Sequence, residues 1–104
     1  MPLIHIVLLK VKADIFEKGN GKDELVAKLD SLKELPIAKT NCQELSWGPP
    51  VYSERAKGWN YGLYTKFADK AAFEQYRDDE GHRSFVQTAI TPNVDEVMAY
   101  DFEY

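Results

Sequence analysis

The stretch LIHIVLLKV, Leu3 to Val11, is apolar on both sides of any strand it forms. Side chains alternate along a strand, so His5, Val7, Leu9 and Val11 share one face while Ile4, Ile6 and Leu8 share the other. A half-buried antiparallel strand turns a polar face to water. This one has no such face, so each side needs a cover.

The rest of the chain supplies one cover only. NGKDELVAKLDSLKEL places Leu25, Val26, Leu29 and Leu32 at helical spacing, with glycines before the segment and Pro36 after it, which predicts a single helix between those limits. TNCQELSW (40–47) predicts a second strand, closed by Gly48-Pro49-Pro50. SERAKGWN (53–60) is a polar loop whose charges are expected in solvent, and NYGLYTKFA (60–68) alternates as a third strand. Asp69 is placed to cap a short helix that carries Ala72, Phe73 and Tyr76 on one side. A further helix is expected after Gly81, with Phe85, Val86, Ala89 and Ile90, stopping before Pro92. VDEVMAYDFEY then reads as a last strand with Met98, Tyr100, Phe102 and Tyr104 on one face.

The order β-α-β-β-α-α-β is the split βαβ pattern of ferredoxin-like α+β folds. It implies one four-stranded antiparallel sheet with helices on one face. At 104 residues the chain is one domain, 1–104, with no element left to cover the second face. A second copy of the chain is the expected cover, giving a homodimer with a self-complementary interface and a dimeric α+β barrel.

Composition narrows the partners. Acids and bases are interleaved with a net charge of −4, whereas a nucleic-acid surface needs clustered Lys and Arg. No apolar run reaches the ~18 residues of a membrane span, so no membrane partner is expected. The one cysteine, Cys42, has no intrachain partner, which points to a reducing, cytoplasmic compartment and to a packed thiol rather than a nucleophile. Two histidines without ligand spacing, and no glycine-rich phosphate loop, predict neither a metal site nor a cofactor. MPLIHI resembles the start of an N-terminal-proline tautomerase, in which removal of Met1 would free Pro2. Nothing after the first six residues supports that alternative.

HIVLLKVK, SERAKGWNYGLYTKFADKAAFEQYRDDEGHRSFV and VMAYDFEY together resemble the stress-responsive A/B barrel (Dabb) family. The most specific block runs from Glu54 to Phe85 and includes R-x-K-G and Y-x5-H-x2-F. The resemblance implies a dimeric α+β barrel. It also implies one of two kinds of function: a non-catalytic stress-responsive protein, or an enzyme, either a polyketide cyclase working by aldol condensation or a hydroxynitrile lyase. Carried over residue by residue, it makes Tyr76 and His82 the catalytic pair and puts His5 and Phe85 in a shared cavity. Val7, Leu9, Leu29 and Phe73 are the expected apolar lining. The expected ligand is a small apolar carbonyl compound or a polyketide-like molecule. Where the family commonly has His-Pro, this chain has Asp79-Glu80.

These residue types suit that chemistry. A histidine near neutrality can remove a proton alpha to a carbonyl, typically contributing about 10²–10⁴-fold. A phenol in a dry pocket can donate to the developing enolate or alkoxide. The alternative for each is structural: His82 as a helix cap, Tyr76 as a core residue, His5 as a buried histidine bonded to one polar neighbour. The helix dipole and the acids Asp78, Asp79 and Glu80 pull the His82 pKa in opposite directions.

Overall fold

A computed structural model describes residues 1–17 and 19–104. Four strands, β1 (Leu3–Val11), β2 (Cys42–Gly48), β3 (Tyr61–Phe67) and β4 (Val94–Glu103), form one antiparallel sheet in the order β2-β3-β1-β4. The apolar segment LIHIVLLKV therefore lies in the interior of the sheet, where a strand with two apolar faces belongs. Its ladder with β3 ends at the Leu9–Tyr61 pair. There Asn60 takes the place of a strand: its side chain accepts from the Val11 N–H at 2.8 Å and donates to the Val11 carbonyl at 3.0 Å.

The helices cover one face. Leu3, Val7, Leu9 and Val11 of β1, with Leu63 and Phe67 of β3, pack against Leu25, Leu29 and Leu32 of the first crossover and Phe73, Phe85, Ala89 and Ile90 of the second. Leu9, Leu29 and Phe67 have no exposed surface. Each such side chain stabilises the fold by about 1.5–3 kcal/mol relative to exposure. Truncating Leu29 to alanine would cost about 2–5 kcal/mol, because the site cannot fully collapse.

The first crossover departs from the single helix expected. After a short turn, α1 (Ala13–Phe16), helix α2 runs only over Gly21–Asp30 and gives way to a 3₁₀ turn at Ser31–Glu34. Pro36 does not end that helix; it opens α3 (Pro36–Asn41) at its first turn. Proline is suited to that position, since its missing N–H would be unsatisfied there anyway. Thr40 and Asn41 thus belong to α3, and the second strand begins at Cys42 rather than at 40. In the second crossover, α4 (Lys70–Asp78) is capped by Asp69 as expected, its carboxylate accepting from the Ala72 N–H at 2.8 Å. Helix α5 (Glu80–Phe85) starts before Gly81, not after it, and continues through a π-type turn at Val86–Ile90.

The opposite face of the sheet is open. The registers align Ile4, Ile6 and Leu8 with Phe102, Tyr100 and Met98 on β4, and Ile6 with Tyr64 on β3. Ile4 is nonetheless buried, whereas Tyr100 is 64% exposed and Met98 and Phe102 are each 42% exposed. No helix among the described residues is long and apolar enough to cross a membrane.

Candidate functional site

The junction between α4 and α5 is one residue long. Asp79 has extended backbone, ends α4 and caps α5, its carboxylate accepting from the His82 N–H at 3.1 Å. A Cβ on Gly81 would lie 3.0 Å from that carboxylate oxygen, so glycine at 81 leaves room for the cap. Of the neighbouring acids, Asp78 is held outside by Arg77 at 2.8 and 3.0 Å. The sharp junction turns the start of α5 back against the end of α4. It sets the His82 ring against Tyr76, with centroids 4.1 Å apart.

Tyr76 sits in the last turn of α4, on the face that also carries Phe73, and has no exposed surface. Its hydroxyl is buried with no hydrogen-bond partner among the described residues. Burial, aided by nearby Cys42, pushes the phenol pKa up, so the group is a proton donor at neutral pH. The half-buried Cys42 thiol is itself raised to about 11 by burial, well above the range of reactive cysteines.

His82 is half-buried, and burial dominates its titration. Desolvation lowers its pKa, opposed by a hydrogen bond to the Arg77 carbonyl; His5 lowers it further and Asp79 raises it. Burial, rather than the acids, sets the net direction, which is down, towards the neutral imidazole. Its Nδ1 lies 3.3 Å from the Arg77 carbonyl oxygen. A carbonyl only accepts, so the proton sits on Nδ1 and the lone pair on Nε2.

His5 is buried on the helix-facing side of β1, its ring 4.8 Å from Phe73 and 6.5 Å from Tyr76. Its Nδ1 is hydrogen-bonded to the carboxylate of Asp101. Asp101 was not among the residues singled out in the sequence. The signal was present: alternation that puts Met98, Tyr100 and Phe102 on the open face turns Asp101 towards the helices. The strand order then sets it opposite His5.

Four candidate residues thus form one series of ring contacts: His5 against Phe73 and Tyr76, and Tyr76 against His82. Val7, Leu9, Leu29 and Phe85 belong to the same buried cluster. Leu9 and Leu29 have no accessible surface within the protomer. Two shallow recesses border other members of the ring series. One, of about 340 Å³, is lined by Phe73, Asp101 and Arg77; the other, of about 280 Å³, by His82, Arg83 and Arg77. Arg77 borders both. Among the described residues, no three His, Cys, Asp or Glu side chains cluster closely enough to hold a metal ion.

Comparison with known proteins places the chain among relatives. The family model of the Stress responsive A/B Barrel Domain (Dabb) matches residues 3–104. A hydroxynitrile lyase from Passiflora edulis is similar in structure at TM-score 0.78 and 17% identity, over 97% of this chain and 91% of that one. A Dabb family protein with a ferredoxin-like fold from Mesorhizobium loti is similar at TM-score 0.78 and 19% identity, over 99% and 96%. A dimeric ferredoxin-like protein of unknown function from Jannaschia sp. CCS1 is similar at TM-score 0.74 and 20% identity, over the full length of both. At these identities the likeness is one of fold. Among curated proteins no sequence matches.

Proposed function

The chain belongs to the stress responsive A/B barrel (Dabb) family, and from that premise we propose that it binds a small, largely apolar carbonyl compound and promotes aldol-type proton transfer on it. The observation that carries this reading is the Tyr76 hydroxyl, buried beside the His82 ring with no partner among the described residues. A buried hydroxyl left unpaired costs about 1–3 kcal/mol. A ligand carbonyl oxygen would satisfy it.

In this reading Nε2 of His82 takes the proton from the carbon between two carbonyls. The resulting enolate carbon attacks a second carbonyl of the same molecule, forming the carbon–carbon bond, and that carbonyl oxygen becomes an alkoxide. Tyr76 donates to the oxygen where charge develops, and the proton held by His82 returns to the alkoxide. His5, held by Asp101, completes the polar end of an otherwise apolar site. Tyr76 has no exposed surface in the protomer, so a ligand reaches its hydroxyl only when neighbouring side chains give way.

We also infer that a second copy covers the open face, where Ile6, Leu8, Met98, Tyr100 and Phe102 lie together. Contiguous apolar surface of this kind marks an interface, and the similar Jannaschia protein is described as dimeric.

A second reading rests on the hydrogen bond from His82 to the Arg77 carbonyl. There the imidazole caps the carbonyl end of α4, and the protein is a non-catalytic stress-responsive dimer. Product formation from a linear β-triketone, followed by chromatography, separates the two. His82→Ala should abolish turnover and Tyr76→Phe should lower it, with neither variant unfolding the protein. If His82→Ala loses stability and leaves turnover unchanged, the capping role is the whole role.

A further inference from the structure

An apolar recess lies away from Tyr76 and His82, under the loop that joins β2 to β3. It encloses about 410 Å³, within the ~300–1,000 Å³ range of small-molecule sites. Trp59 and Leu8 line it, and Arg55 and Lys57 stand at it as its charged groups.

Its floor exists because two side chains are missing. Gly48 and Gly62 face each other across the β2–β3 ladder. A Cβ on Gly48 would meet nothing within 4 Å, so a side chain there would project into open space. On Gly62 a Cβ would come within 3.3 Å of Leu8.

The loop is held in shape at some cost. Lys57 has φ 55°, a left-handed backbone that a residue with a Cβ rarely adopts. Gly58 follows at φ 89° with the Lys10 side chain against it, and the Lys10 ammonium lies over the Trp59 ring at 4.8 Å. Strained backbone held by its surroundings clusters at binding sites.

The charge is equally specific. Among the described residues, neither Arg55 nor Lys57 pairs with a carboxylate. Arg55 lays its guanidinium over Tyr52 at 5.4 Å, which leaves the in-plane N–H donors available. Two unpaired cations thus border an aromatic recess on a chain of net charge −4.

We propose that this recess is a second ligand site, for a flat apolar molecule that carries one carboxylate. The ring system lies against Trp59 and Leu8 over the two glycines. The carboxylate meets Arg55 and Lys57, Arg55 providing the paired donors that suit a carboxylate. The site does not depend on the aldol reading, since none of its residues touches Tyr76 or His82 in the contacts described above.

Titration calorimetry of the full chain with 2-naphthoate, and with its neutral isostere 2-naphthamide, tests the proposal. Naphthoate should bind at one site per protomer and naphthamide about tenfold more weakly. The double variant Arg55→Ala/Lys57→Ala should erase that preference, and Gly48→Val should block both ligands while keeping the wild-type melting temperature. If Gly48→Val lowers the melting temperature, the surface double variant still decides. Equal binding of acid and amide overturns the proposal. So does naphthoate binding that survives the double variant but is lost in His82→Ala. Absence of naphthoate binding also overturns it, meaning that partner side chains fill the recess or that it stays empty.

Discussion

His5 on β1 and Asp101 on β4 stand directly opposite each other across an antiparallel pair, and the ring Nδ1 of one is bonded to the carboxylate of the other. The bond ties the sheet edge to the buried ring series that leads through Tyr76 to His82. Asp101→Ala leaves a buried imidazole nitrogen unpaired and should cost about 1–3 kcal/mol in urea denaturation. Asp101→Asn keeps an acceptor oxygen and should cost less than half of that. Equal losses in the two variants would mean that the pair does not hold His5.

Tyr76→Phe separates stability from chemistry. Removing a buried hydroxyl that has no partner among the described residues should leave stability unchanged or raise it by about 1 kcal/mol, while turnover falls. A hydroxyl that acts structurally would give the opposite sign on melting.

The lowered His82 pKa sets a pH window. Below the ordinary histidine value the unfolded chain takes up the proton more readily than the folded one. Stability is therefore complete above that value and falls as pH drops from it towards the lowered folded value. Denaturation midpoints measured from neutral pH into the acid range should show this slope. His82→Gln should flatten it. The same titration predicts a rate that rises with pH through the lowered value, because the neutral ring is the base.

Lys57→Gly relieves the left-handed backbone and should stabilise the fold by about 0.5–1 kcal/mol, whereas Lys57→Ala keeps the strain and should not. Urea midpoints of the two variants make the comparison without reference to any ligand.

Ile6→Asp places a charge at the centre of the open face, next to Tyr64 and Tyr100. Sedimentation should show a dimer for the wild type at micromolar concentration and a monomer, or insoluble protein, for the variant. A monomeric wild type would remove the case for a barrel.

Alternation and helical spacing were enough, from the sequence alone, to determine that the first strand is apolar on both faces, that helices cover one face of the sheet and where α4 starts, while the strand order and the face the helices take came from the fold. Burial depends on side-chain period, and Asp69 carries its own cap. The break after Asp30, the reassignment of Pro36 and the single-residue junction at Asp79 were decided by tertiary packing. A proline suits the end or the start of a helix equally well by local rules. At the candidate site, the family resemblance pointed to Tyr76, His82 and His5. Their contacts, the unpaired phenol, the direction of the His82 shift and the partnership with Asp101 came only from the fold. Desolvation and hydrogen bonding are properties of three-dimensional surroundings, and residues 5 and 101 become neighbours only when the sheet forms.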